Sequence, residues 1–89
     1  MTVLRLRDED LFWRESDGGE IVALDATESR YLAANPSGAA LWKRLRGGAT
    51  EADLADALCE RYGVARDVAE VDVRAFVQQL SARGLLESG

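Results

Sequence analysis

At residues 30–36 the chain reads RYLAANP, and the next stretch, SGAALWKRL, has the apolar spacing of a helix. Few junctions constrain a fold more. Asn35 is a favoured helix N-cap, because its side chain accepts a backbone N–H that has no partner inside the helix, and Pro36 at the first helical position has its φ preset and lacks only a donor that would go unused. A short strand therefore has to end where the helix begins, with no linker between them.

Reading outward from this junction gives the rest of the fold. Upstream, VLRLR (3–7) alternates Leu4 and Leu6 with Arg5 and Arg7, the period of a half-buried strand. DLFWRE (10–15) and EIVALD (20–25) flank SDGG (16–19), whose Asp-Gly-Gly supplies residues tolerant of positive φ, so the spacing predicts a hairpin. ATES (26–29) turns the chain again into RYLAA (30–34), the last arm of a small antiparallel meander. Downstream, a helix over about 36–46 ends at Gly47-Gly48. Thr50 and Asp53 form a capping-box pattern ahead of the stripe Leu54, Ala55, Leu58 and Tyr62, and Gly63 stops that helix. Asp67 with Glu70 repeats the pattern for a third helix over about 67–83, whose Ala69, Val73, Phe76, Val77 and Leu80 share a core face, and Leu85 and Leu86 fold back onto the core. The expectation is an α+β, winged-helix-like domain spanning 1–89, a three-stranded antiparallel β-sheet followed by three α-helices.

Charge narrows the function. The chain carries net −5, and the excess of acid lies in residues 1–35 and 50–62. A phosphate backbone would be repelled by most of such a surface. In a winged-helix DNA-binding regulator the third helix would enter the major groove on a basic surround, whereas here Arg66, Arg74 and Arg83 are balanced by Asp67, Glu70 and Asp72. Nucleic acid is therefore not an expected partner. The basic group Lys43, Arg44 and Arg46 reads as a solvated helix end complementing the C-terminal dipole. No apolar run approaches the roughly 20 residues of a membrane span, so a membrane is not an expected partner either and a cytoplasmic chain is expected.

Catalysis is poorly supplied. There is no His anywhere, which excludes the usual Ser or Cys triads, and the single Cys59 sits beside Leu58 in an apolar stripe. One cysteine cannot make an internal disulfide or a zinc site. Asp8, Glu9 and Asp10 read as a solvated turn, and neither Gly18-Gly19 nor Gly47-Gly48 matches a phosphate-binding loop. No catalytic residue, metal or cofactor is expected, and Trp13 and Trp42 read as core residues.

FWRESDGGEIVALDATESRYLAANPSGAALWKRL, TEADLADALCERYG and DVRAFVQQLSARGLLE, taken in order, resemble the PqqD-like family of small peptide-binding domains, also called RiPP recognition elements. The likeness runs from about residue 11 to 87. Its most specific pieces are Arg30-Tyr31, the Asn35-Pro36-x-Gly38-x-x-Leu41-Trp42 junction and the closing Gly84-Leu85-Leu86. Members often carry a larger apolar residue where Ala34 stands.

The resemblance implies a non-catalytic protein that binds the leader segment of a ribosomally made precursor peptide. The leader is expected to add as an antiparallel strand to the free edge of the last meander strand, in a groove walled by the third helix. On this sequence the pairing edge is the backbone of Arg30, Tyr31, Leu32, Ala33 and Ala34. The helix wall is the stripe Val68, Val71, Asp72, Ala75 and Gln79, in which Val71 and Ala75 receive leader hydrophobes and Asp72 accepts from a hydroxyl or a cation. A free-standing domain of this kind looks most like the recognition proteins of lasso-peptide clusters, which present the precursor to a leader peptidase and then a cyclase. A pyrroloquinoline quinone peptide chaperone is the alternative that the resemblance leaves open.

Overall fold

The computed structural model describes residues 2–88. Its elements are β1 (Leu4–Leu6), β2 (Leu11–Glu15), β3 (Ile21–Asp25), β4 (Arg30–Ala34), α1 (Pro36–Gly47), α2 (Glu51–Tyr62), α3 (Arg66–Ala82) and β5 (Leu86–Ser88). β2, β3 and β4 form the expected antiparallel meander, in that order. The register sets Ile21 opposite Ala34 and Asp25 opposite Arg30. One face of this sheet carries Ile21, Ala23 and Ala34 into the core, where all three are buried. The other face leaves Phe12 62% and Tyr31 73% exposed.

The Asn35-Pro36 junction forms as the residue types require. Asn35 is the N-cap, with its Oδ1 accepting the Gly38 N–H at 2.9 Å, and Pro36 opens α1. α1 then buries Leu41, Trp42 and Leu45. Trp42 is fully buried and meets Trp13 edge-to-face, with centroids 5.9 Å apart, while Arg46 lies 5.6 Å over the Trp13 ring. Trp42 Nε1 has no acceptor among the described residues. That omission costs about 1–3 kcal/mol, less than the roughly 4–6 kcal/mol that burying an indole returns at 25 cal/mol per Å2.

α2 starts on the full capping box: Thr50 accepts the Asp53 N–H at 3.1 Å and Asp53 accepts the Thr50 N–H at 3.0 Å. The Thr50 backbone N–H, and then the Thr50 hydroxyl, hold the Asp53 carboxyl below its usual range. Gly63, at φ +66°, ends the helix.

Five sequence expectations need correction. Tyr62, the last member of the stripe expected to bury α2, is 43% exposed, and Ala57 is buried with Leu54, Ala55 and Leu58 instead. The VLRLR strand forms, but it belongs to a second sheet: β1 pairs antiparallel with β5, Leu4 opposite Ser88. The tail after Leu85 is thus a strand and not only a packed end, and Leu4 also exchanges two 2.8 Å hydrogen bonds with Ala49. The capping pattern at α3 fails. Its N-cap is Ala65, which offers no side-chain acceptor; Asp67 falls inside the helix, and Glu70 pairs with Arg66 instead. Phe76 and Val77 are half-buried at the margin of the core, in contrast to the buried Ala69, Val73 and Leu80. The basic group on α1 is not simply solvated, because Lys43 clamps both Glu15 oxygens at 2.9 Å and Arg46 stacks on Trp13.

Candidate functional site

β4 is the outer strand of its sheet, so one edge of its backbone faces no other strand. Strand alternation sets Arg30, Leu32 and Ala34 toward the helices and Tyr31 and Ala33 toward the opposite face. The tight entry into α1 holds the far end of this edge. Ala39 N–H donates to the Asn35 carbonyl at 2.8 Å, so the helix ladder begins at the last residue before the proline.

Beside the edge runs a groove against α3. Its central cavity, about 430 Å3, is bordered by all five residues from Tyr31 to Asn35, by Gly38, and by Phe76, Gln79, Leu80 and Arg83 of the α3 side. A second cavity of about 510 Å3 continues it through Asn35, Gly38, Phe76 and Gln79 to Leu41, Leu58, Tyr62, Asp72 and Ala75. A third, about 180 Å3, joins the other end through Leu32 and Arg83 and reaches Asp25, Glu28 and Arg30. The three make one continuous trough along the free strand edge, lined by both apolar and polar side chains, with Arg30, Asp25 and Glu28 at one end and Asp72 at the other.

Most of the residues expected at a site converge here. Arg30 to Ala34 form one wall, and Asp72, Ala75 and Gln79 stand on the other. Val68 and Val71 do not border the trough. They lie on the same flank nearer the start of α3, 48% and 59% exposed. Phe76 and Arg83 were missing from the expected wall, although their spacing from Asp72 and Gln79 (72, 76, 79, 83) is one helical stripe. The spacing of Phe76 from Val73 and Leu80 fits the core face equally well, so the sequence alone places it there.

At the charged end the Asp25 carboxylate accepts from Arg7 Nη2 at 2.6 Å and from the Thr27 N–H at 3.1 Å. Burial opposes its ionisation, but the Arg7 bond and charge and the backbone N–H groups of Glu28 and Thr27 outweigh it, leaving Asp25 below its usual range. Among the described residues, no group of three or more His, Cys, Asp and Glu side chains is placed to hold a metal ion. No helix among them is long and apolar enough to cross a membrane.

A strand edge left open beside a trough of mixed apolar and polar side chains is the geometry of a site for an extended peptide. Over residues 20–86 the sequence matches the family described as coenzyme PQQ synthesis protein D (PqqD). The chain belongs to the PqqD family. Two solved structures resemble this PqqD-family chain over nearly its whole length. One is described as TbiB1 in complex with the TbiA(β) leader peptide: 28% identical, TM-score 0.83, covering 93% of this chain and 94% of that one. The other is lasso peptide synthetase B1 complexed with the leader peptide: 33% identical, TM-score 0.80, covering 94% and 96%. No curated protein matches the chain.

Proposed function

We propose that this PqqD-family chain binds the leader segment of a ribosomally made precursor peptide by strand addition to β4, and delivers it to a leader peptidase and a cyclase in lasso-peptide biosynthesis. The observation that carries the reading is the open Arg30–Ala34 edge running beside a continuous trough. Main-chain hydrogen bonds along such an edge supply affinity, and pockets for alternate side chains supply specificity. An edge already held by its neighbours loses little ordering entropy on binding. The whole-chain similarity to two leader-bound lasso B1 proteins supports this reading over a pyrroloquinoline quinone peptide chaperone. A DNA-binding regulator is not favoured either, since α3 faces solvent with Asp67, Glu70 and Asp72 beside Arg66 and Arg74.

Within this proposal the backbone of Arg30, Tyr31, Leu32, Ala33 and Ala34 pairs with the leader. Leu32, Ala34, Ala75 and Phe76 receive its apolar side chains, and Asp72 and Gln79 take polar ones. Val68 and Val71 meet only leader residues that extend past the trough. The protein acts as a single non-catalytic domain without a cofactor, in the cytoplasm, and the chemistry belongs to the partner enzymes.

The test is fluorescence anisotropy of a labelled leader from the precursor gene beside this one, titrated with the chain. Saturable binding near micromolar, lost on scrambling the leader, is the expected result. A folded chain that binds neither peptide refutes the proposal.

A further inference from the structure

The trough is electrically lopsided in a way that the leader itself has to match. At the end where β4 starts, Arg7, Arg30 and Arg83 converge, and they are used differently. Arg7 is fully engaged inside the fold, giving Nη2 to Asp25 at 2.6 Å, Nη1 to the Gly84 carbonyl at 3.1 Å and Nε to the Glu9 carbonyl at 3.0 Å. Asp25 lies directly across the β3–β4 ladder from Arg30, yet its ion pair is with Arg7. Arg30 and Arg83 make no ion pair and no side-chain hydrogen bond among the described residues, although Glu28 borders the same 180 Å3 cavity.

Most arginines of the chain make no ion pair among the described residues, but Arg30 and Arg83 are two such guanidinium groups brought to one cavity of the trough. Each offers a planar fork suited to a carboxylate, and their mutual repulsion is relieved when an anion sits between them. The opposite end of the trough carries Asp72 and no basic side chain. With Asp25 taken by Arg7, the end where β4 begins keeps Arg30 and Arg83 against Glu28, an excess of one positive charge, while the other end carries Asp72. This polarity reads direction, given strand addition antiparallel to β4 as proposed above. The C-terminal part of the bound leader then lies toward Arg30, and same-face residues follow at every second position.

We infer that the leader carries an Asp or Glu about two to four residues C-terminal of the apolar side chain seated against Leu32, and that Arg30 and Arg83 hold its carboxylate. Leader register and direction are thereby selected by charge as well as by shape.

Anisotropy titrations of the neighbouring precursor's leader test this, using peptides in which each acid is changed to its amide and the chain as wild type, Arg30→Gln, Arg83→Gln and the double variant. The expected result is a three- to tenfold loss, of the size of about one partly exposed charge-assisted contact, when the acid in that window or either arginine is neutralised. In the double variant the amide change has no further effect. Arg83→Glu paired with a leader whose acid is changed to Lys recovers part of the loss. Because neither arginine makes an ion pair or side-chain hydrogen bond among the described residues, circular dichroism and the thermal midpoint should match wild type. Wild-type binding that ignores every amide change, or a leader with no acid in the window, overturns the inference and leaves strand addition standing. A scrambled leader that binds as tightly as the native one overturns both.

Discussion

Gly38 lies so close to Phe76 that a β-carbon on it would sit 3.2 Å from the ring's Cε1, and 3.1 Å from the β-carbon of Ala34. Helix α1, strand β4 and the Phe76 ring thus meet at a single bare Cα, and this contact forms the floor of the trough. Replacing Gly38 by Val forces the ring outward. Overpacking of this kind costs about 1–3 kcal/mol, and the displaced ring narrows the space beside Ala34. Urea denaturation should show the loss of stability, and leader affinity should fall more than stability alone accounts for.

The two walls of α3 separate by substitution. Ala75 borders the trough and Val71 does not. Ala75→Arg places a long charged chain where an apolar leader residue is expected, so affinity should drop by about tenfold or more, a cost of at least 1.4 kcal/mol. Val71→Arg, on the exposed flank, should change it by less than about threefold. Both positions are exposed on the helix, so both variants should melt cooperatively. Equal losses from the two would move the site toward the start of α3.

Acid should loosen the fold at Asp25 and Asp53. Both carboxyls lie below their ordinary value of 3.8 in the folded chain. The stability they contribute is therefore complete above that value and is lost as pH falls through their lowered folded values. Thermal midpoints measured from pH 6 down to 2.5 should hold and then drop below about pH 4. Asp25→Asn, which leaves Arg7 without its carboxylate, should lower the midpoint at pH 6 and flatten the decline. An unchanged decline in that variant would remove Asp25 as a cause.

Helix starts offer a matched pair. Thr50→Ala removes a working cap from α2 and should cost about 1 kcal/mol. Ala65 occupies the uncapped start of α3 with φ −64° and ψ 148°, a backbone that Asp or Ser adopts readily. Ala65→Asp should add about 0.5–1 kcal/mol through a new N–H acceptor and the helix dipole. Denaturant midpoints read both changes, and a loss of stability in Ala65→Asp would contradict the cap geometry.

What the sequence by itself determined is local in origin. Asn35-Pro36 marks the strand-to-helix switch, Thr50 and Asp53 open α2, Gly63 closes it, and the hairpin turns at SDGG, because each signal acts within a few residues through a hydrogen bond or a dihedral preference. The free edge of β4 is not a local matter: the family resemblance implies it, and it stays open because β1 pairs with β5 and not with the meander. Tertiary structure decided the remainder. The periodicity of VLRLR was equally compatible with pairing to the meander or to the tail, and only the approach of the two chain ends beside Ala49 selects Leu86–Ser88. Phe76 has a spacing that suits the core and the trough alike, and the bare Cα of Gly38 lets it sit at the boundary. Arg30 and Arg83 are more than fifty residues apart in the chain. Only the placement of α3 alongside the β4 edge, with the trough between them, brings both to one cavity, because a helix stripe and a strand face have different periods and meet only where the fold sets one beside the other.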